Sequence, residues 1–182
     1  MHRHLRFFRA LLGTTLVAFL AFTLAFEFTV VQPALSKAAS LLAAAAPSER
    51  SPPATLMEAL DRSQPELRKY QVARDLLAQP PSQIEGLRTL SRQSLEHGLG
   101  ISLKLHLSEQ DLSALHLSQA YMGPGVRGYA QASAIHLGVP LESVTREQAA
   151  KLVAISLAPA ANLASPERLA RRVELLLSAR RQ

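Results

Sequence analysis

The sequence predicts an all-α protein that begins with one transmembrane helix, and three observations lead to this fold class. No residue from Ala10 to Phe26 is charged, and apolar residues resume from Phe28 to Val31, so the run is long enough to cross a hydrocarbon core as a helix. From Ala54 onward, apolar residues recur at helical spacing. Two patterns typical of helix starts, at Ser108 and Thr145, divide the second half of the chain into further helices.

The charges on either side of the apolar run predict its orientation. Arg3, Arg6 and Arg9 precede the run, whereas Glu27 and Lys37 are the first charges beyond it. The positive-inside rule then puts the N-terminus in the cytoplasm. We therefore expect a single-pass inner-membrane protein whose C-terminal domain lies in the periplasm.

A cleaved signal peptide is the competing interpretation of the same run. Three alanines at 43–45 offer a small-residue cleavage site. The apolar run is longer than a usual signal core, and this site lies well past its end. An uncleaved anchor is therefore the favoured prediction.

The predicted organisation has four parts. Residues 1–9 form a basic cytoplasmic flank and residues 10–31 the anchor. Residues 32–53, which are rich in Ala, Ser and Pro, form a juxtamembrane helix extension followed by a linker. Residues 54–182 form a helical domain, and 182 residues leave room for only one modest domain.

Composition excludes several classes of function. The chain has no cysteine, which excludes thiolate chemistry and leaves no cysteine to complete a zinc site. The formal net charge is +6, which favours an anionic lipid surface or a pyrophosphate-bearing substrate. Aromatic residues are only 5% of the chain and provide no stacking platform, so nucleic acid is not an expected partner.

Within the domain, one stretch departs from helical periodicity. Apolar and polar residues alternate from Ile101 to Leu107, which is typical of a strand, and Gly98 and Gly100 before it weaken a helix. Elsewhere the helix signals are consistent. Ser108 and Asp111 form one predicted capping box, Thr145 and Gln148 a second, and Ser165-Pro166 opens the last helix.

Three charged residues, Arg88, Arg92 and Glu96, share one face of a predicted helix because they are four positions apart. On an arbitrary helix such a stripe is a solvent-exposed ion pair worth a few tenths of a kcal/mol. The sequence that follows indicates a functional role for these three charges. Leu107-Ser108 comes next, and then glycines at 123, 125 and 128 after Tyr121.

In this order and spacing, residues 87–177 resemble the second half of a peptidoglycan glycosyltransferase domain, the lysozyme-like family that polymerises lipid II. The family has Arg-Lys-x-x-Glu where this chain has Arg92-Gln-Ser-Leu-Glu96. It also has Glu, Tyr and Asn in a later segment where this chain has Ala114, His116 and Ser118. The resemblance implies a truncated lysozyme-like helical domain in which the helix continues through Leu107.

The resemblance also implies roles for individual residues. Glu96 matches the second acidic residue of the family's active site, and Arg92 and Arg88 would hold the leaving pyrophosphate, since preorganised cations stabilise developing negative charge. Gln71 and Arg74 match a degenerate form of an upstream family motif. Arg74 occupies the position of a lysine that contacts pyrophosphate in the family.

The family's first motif, which carries the general base, is missing. Only about twenty-five residues separate Asp61 from Leu87, where the family has several tens more, so the part that shapes the acceptor pocket does not fit. Glu58 or Asp61 could stand in as the base, but positioning is the larger part of such catalysis. The resemblance therefore implies a protein with impaired catalysis that binds or acts on lipid II or glycan strands beside other cell-wall synthesis proteins.

Two alternatives stay open at this stage. One is an active minimal lipid II polymerase with Glu96 as the surviving acid, and the other is a helical interaction protein with a relic fold. No metal site is predicted from the scattered histidines, although the family implies a divalent cation. The glycines at 123–128 also fit a dinucleotide-binding fingerprint, but that fingerprint needs a preceding strand, whereas the sequence before it predicts a helix.

Overall fold

The predicted all-α fold class is confirmed. A computed structural model describes residues 2–63, 68–78 and 92–178, and in these ranges the regular elements are all helical, with one isolated β-bridge between Tyr121 and Arg127. The α-helices are α1 His2–Phe26, α2 Gln32–Ala44, α3 Pro47–Arg50, α4 Ala54–Ser63, α5 Arg68–Ala78, α6 Arg92–His106, α7 Glu109–Gln119, α8 Tyr129–Leu137, α9 Arg146–Leu157, α10 Pro159–Ala164 and α11 Pro166–Ser178. A π-helical turn, Glu27–Val31, joins α1 to α2, and a 3₁₀ turn, Leu141–Ser143, precedes α9.

The N-terminal helix has two different halves. From Leu12 to Ala44 it is long and apolar enough to cross a membrane, judged by length and composition. The side chains from Leu12 to Ala25 are exposed, whereas Val30, Val31, Ala34 and Ala38 are buried in the core. The first half is therefore available to lipid, and the second half belongs to the folded domain.

Residues 32–53, expected to be a helix extension and a linker, pack within the fold. Helix α2 packs on α5 and α7, and α3 packs on α7 and α8. Ser48 and Glu49 of α3 are buried despite their polarity. The small side chains that suggested a linker instead permit close helix packing, because a buried alanine lets two backbones approach.

Helix α7 is the centre of the domain. All six residues from Leu112 to Leu117 are buried. Leu112 and Leu115 join a cluster with α2, α5 and α6, while Leu117 joins a second cluster with α4, α8, α9 and α11. One helix thus links the half of the core that holds the anchor to the half that holds the C-terminus.

The stretch from Ile101 to Leu107 is helical as the resemblance implies, and the strand suggested by its alternation is wrong. Leu95, Leu99 and Leu103 are buried along one face of α6, and burial at this spacing outweighs the local alternation. A Cβ at Gly98 would lie 3.0 Å from the Phe26 ring, and one at Gly100 would lie 2.7 Å from the Tyr70 ring. The glycines are therefore sites of close packing rather than breaks in the helix.

Both predicted capping boxes are confirmed. The backbone N–H of Asp111 donates to Ser108 Oγ at 3.1 Å, and the backbone N–H of Ser108 donates to Asp111 Oδ2 at 3.3 Å. Thr145 and Gln148 form the same pair of bonds at the start of α9. Both boxes satisfy N–H groups that the first turn of a helix leaves unpaired.

Candidate functional site

Gln71 and Arg74 line one small cleft of about 220 Å³. The cleft lies between α5 and the ends of α4, α7 and α9, and α10 begins at its rim. Asp75 and His116 line it as well. The remaining lining residues are Leu60, Ser63, Ala120, Tyr121, Ser156, Leu157 and Pro159.

The pattern of α5 presents the polar residues to the cleft. Val72, Ala73 and Leu76 are buried against the anchor half of the core. Gln71, Arg74 and Asp75 lie three and four positions apart and share the opposite side of the helix. Lys37 Nζ on α2 donates to the backbone carbonyl of Leu76 at 2.9 Å, which fixes the end of α5 against the continuation of the anchor helix.

Asp75 is the acidic residue of this cleft. Burial raises the pKa of its carboxyl above the ordinary value of 3.8, against the opposing effect of the Arg74 and Arg127 guanidinium groups, and the Glu96 carboxylate adds to the rise. A carboxyl group in this environment gains a proton more readily than one in water. Arg74 lines the cleft, and Arg127 is near enough to act electrostatically on the same carboxyl, so two potential anion ligands lie in this region.

His116 forms part of the cleft wall. The imidazole is buried, and its centroid lies 6.1 Å from that of the Tyr129 ring. The Tyr129 hydroxyl donates to Ser156 Oγ at 2.7 Å, and Ser156 Oγ donates to the backbone carbonyl of Val153 at 2.8 Å. This chain of contacts holds one side of the cleft rigid.

The predicted acid Glu96 stands outside the cleft lining. Arg92 Nε lies 3.0 Å from Glu96 Oε1, with the arginine side chain 67% exposed and the glutamate 21%. Glu96 still acts on the Asp75 carboxyl electrostatically. Arg88 lies outside the described residues.

A glycine-rich loop between α7 and α8 carries Arg127. Gly123, Gly125 and Gly128 have positive φ angles of 120°, 73° and 84°, conformations that other residues adopt only with strain. The element before this loop is the helix α7, as predicted, so the glycines separate two helices.

A buried carboxylate holds this loop in place. Glu49 Oε1 accepts a hydrogen bond from the backbone N–H of Ala130 at 3.0 Å, in the first turn of α8. Glu49 Oε2 accepts a second from the backbone N–H of Ala46 at 3.2 Å. A Cβ at Gly128 would lie only 2.7 Å from Glu49 Oε1, so the close approach requires glycine.

The suggested substitute bases lie elsewhere. Asp61 lines a separate, larger cleft of about 680 Å³ with Lys69 and Lys104. Glu58 is bound to Arg62 one turn further along α4. Neither carboxylate lines the cleft that contains Gln71 and Arg74.

The metal ion implied by the resemblance has no evident ligand set. Within residues 2–63, 68–78 and 92–178, no three His, Asp or Glu side chains are grouped closely enough to hold a metal ion. We therefore derive no step through a divalent cation.

Sequence reasoning missed three residues of this region. Asp75 follows Arg74 directly, so its neighbour could have pointed to it. Arg127 lies among the loop glycines, and their pattern indicates a turn rather than a charged site. No sequence pattern points to Glu49, because its hydrogen-bond partner Ala130 is 81 residues away.

The comparisons with known proteins agree with the resemblance. A family model described as transglycosylase matches residues 69–180. Biosynthetic peptidoglycan transglycosylases of Rhizobium leguminosarum bv. trifolii and Rhizobium etli are each 37% identical over 70 residues, which are 38% of this chain and 30% of each relative. A protein of Cupriavidus necator, provisionally named a transglycosylase, is 28% identical over 92 residues, which are 50% of this chain and 40% of that relative.

The chain thus aligns with less than half the length of each of these relatives. The family model nevertheless covers more than half of the chain, from the start of α5 to beyond the end of α11. The family predicted from the motifs is confirmed: this chain belongs to the transglycosylase family.

Proposed function

We propose that this chain is a membrane-anchored, peptidoglycan glycosyltransferase-like protein of cell-wall assembly. In this proposal it binds lipid II or the glycan strands made from it, and its own polymerising activity is weak or lost. The observation that carries the proposal is the shared cleft of Gln71 and Arg74, two residues that match a substrate-contacting motif of the family.

Binding of a pyrophosphate group is the chemistry that the cleft supports best. Arg74 can form charge-assisted hydrogen bonds with phosphate oxygens, and Gln71 offers an amide donor. Arg127 lies within electrostatic reach of the same region, since its positive charge partly opposes the rise in the pKa of Asp75. The lining holds one arginine, Arg74, and one carboxylate, Asp75, which opposes anion binding when it is ionised.

The arrangement of the other carboxylates argues for weak catalysis. A general base must lie within hydrogen-bond reach of the proton that it removes. Glu58 is engaged with Arg62, Asp61 lines the other cleft, and Glu96 is engaged with Arg92. Binding can therefore survive where the alignment of a base has been lost.

The N-terminal helix supports membrane anchoring. Arg9 and Glu27 are eighteen positions apart, or about 27 Å at 1.5 Å per residue in a helix, close to the thickness of a hydrocarbon core. The three arginines before the span support a cytoplasmic N-terminus and a periplasmic domain. Such an anchor would hold the domain where lipid II and other cell-wall synthesis proteins meet.

One observation favours the second candidate, an active minimal polymerase. Asp75 lies in the same cleft as Arg74, and its raised pKa makes it a stronger base than an ordinary aspartate. In this alternative Asp75 would replace the missing general base, with Glu96 as the second acid.

Labelled lipid II, presented to the full-length protein in detergent with a divalent cation, separates the two candidates. The proposal expects lipid II to bind without glycan chains being formed. If chains form and both Glu96→Gln and Asp75→Asn abolish them, the active alternative is correct. If the protein neither binds nor polymerises lipid II, both candidates are wrong and the interaction-protein interpretation gains support.

A further inference from the structure

Helix α6 has an apolar edge that faces away from the core. Ile101 is 56% exposed and Leu105 is 80% exposed. The two residues are four positions apart and therefore lie one above the other on the helix surface. Leu99 and Leu103, on the opposite side of the same helix, are fully buried. The core thus uses one face of α6 and leaves this second apolar stripe uncovered by the described part of the chain.

This edge lies beside the point where the apolar helix leaves the domain. Gly98 shares the face of Ile101 and Leu105 at helical spacing, and a Cβ there would lie 3.0 Å from the Phe26 ring at the end of α1. At the other end of α6, His106 Nε2 lies 3.5 Å from Glu27 Oε1. Two contacts, made near both ends of the stripe, hold α6 against the last turn of the apolar helix.

The connection between the anchor and the domain is rigid. Helix α1 continues through the π-helical turn into α2 without a non-helical residue, and Val31 and Ala38 are fully buried in the core. A helix that enters a bilayer therefore fixes the height of α6 above it. Since Glu27 is the first charge after the apolar run, α6 is held at the level where the hydrocarbon region ends.

We propose that α6 lies on the bilayer surface, with Ile101 and Leu105 inserted at the boundary between lipid headgroups and acyl chains. Lys104 lies between these two residues in sequence and is about half exposed, and its Nζ lies 3.9 Å from Glu109 Oε1 in an exposed pair. Such a pair is weak, so the ammonium group can exchange Glu109 for lipid phosphates while its stem stays beside apolar chains. This inference rests on the membrane-anchoring part of the proposed function. It adds a second membrane contact, which stops the domain from rotating about its anchor and fixes the direction in which the Gln71–Arg74 cleft opens.

Lipid fits this edge better than a protein partner does. Specific protein interfaces bury about 800 Å² on each side, far more than two neighbouring side chains provide. The edge is continuous with a helix already suited to lipid, and the basic side chain of Lys104 lies next to it. Interfacial helices use this combination of inserted apolar residues and flanking cations.

The chain has no tryptophan, so single-tryptophan variants report one position each. We would reconstitute the full-length variants Leu105→Trp, Phe22→Trp and Leu175→Trp in vesicles of phosphatidylcholine and phosphatidylglycerol with brominated acyl chains, which quench nearby tryptophans. Phe22 is 52% exposed on α1 and reports the anchor. Leu175 is 62% exposed on α11, whose Leu176 is buried in the half of the core that lacks the anchor, so Leu175 is the matched control.

The proposal expects strong quenching at Phe22, clear quenching at Leu105 and several-fold weaker quenching at Leu175. Bromines placed near the headgroup should quench Leu105→Trp more than bromines deep in the bilayer do. Strong quenching at Phe22 with Leu105 no more quenched than Leu175 would overturn the proposal and leave the anchor intact. Absence of quenching at Phe22 would remove the anchor and the proposal together. A blue-shifted but unquenched Leu105→Trp would mean that protein, such as a second copy, covers the edge instead of lipid.

Discussion

Glu49 Oε1 accepts a hydrogen bond from the backbone N–H of Ala130 at 3.0 Å, although 81 residues separate the two. The carboxylate thereby caps a helix to which it is not adjacent in sequence, and negative charge is favoured at a helix N-terminus. The loop between α7 and α8, which carries Tyr121 to the cleft, ends at this contact. The shape of the candidate site therefore depends on a residue outside every recognised motif.

Replacing Glu49 should lower the stability of the domain. Glu49→Ala leaves two backbone N–H groups in a buried region without acceptors, which costs about 1–3 kcal/mol for each such group. Glu49→Gln keeps one acceptor oxygen and should cost clearly less. Chemical denaturation in mild detergent, followed by circular dichroism, measures both variants. Equal stability of Glu49→Ala and the wild type would mean that water replaces the carboxylate without penalty.

Two loop glycines should differ in their tolerance of alanine. Gly125 has positive φ but open space around it, so Gly125→Ala should cost about 1 kcal/mol from backbone strain alone. At Gly128 a Cβ would lie 2.7 Å from Glu49 Oε1 and 3.0 Å from the Ser118 carbonyl oxygen. Gly128→Ala should therefore cost about 3 kcal/mol or more. Equal free energies of unfolding for the two variants would contradict this prediction.

Asp75→Asn should stabilise the domain at neutral pH. The pKa of Asp75 is raised in the folded state from an ordinary value of 3.8, so folding penalises the ionised carboxylate. Stability is lost as pH rises from about 3.8 through the folded pKa, and above that value the penalty is complete. The gain from asparagine should thus be largest at pH 7 and should vanish below pH 4. Thermal unfolding across this range measures the effect, and a gain that persists in acid would assign it to another cause.

Glu96→Gln should hardly change stability. The Arg92–Glu96 pair joins adjacent turns of α6, its arginine is mostly exposed, and such pairs contribute about 0.3–0.5 kcal/mol. Any functional loss in this variant would then reflect the chemistry of Glu96 rather than unfolding. If the free energy of unfolding fell by more than about 1 kcal/mol, a functional loss could no longer be assigned to the chemistry of Glu96.

The sequence predicts the parts of this fold whose causes are local. Capping at Ser108 and Thr145 depends on residues three positions apart, and the apolar run of α1 is a property of composition. Ile101–Leu107 shows where local reasoning fails, because alternation suggested a strand while burial of Leu99 and Leu103 makes it helical. Residues 32–53 show a related limit, because their alanine-rich composition does not reveal that α2 packs on α5 and α7.

The residues of the candidate site also differ in whether local sequence or tertiary contacts determine their position. Gln71 and Arg74 could be found because their spacing along one helix is visible in the chain. Asp75 gains its raised pKa, and Arg127 its position, from helices and loops distant in sequence. Tertiary contacts of this kind leave no periodic signal.

The affinity of the full-length protein for lipid II, compared among the wild type, Arg74→Ala and Arg172→Ala, tests the central claim most directly. Arg172 is exposed on α11 and does not line the cleft, so its replacement removes the same charge without touching the proposed site. Loss of a charge-assisted hydrogen bond to phosphate costs about 1.5–3 kcal/mol, or roughly tenfold or more in affinity. The account predicts that Arg74→Ala weakens binding by about that factor while Arg172→Ala changes it less than about twofold. Equal weakening by both variants, or no binding by the wild type, would contradict it.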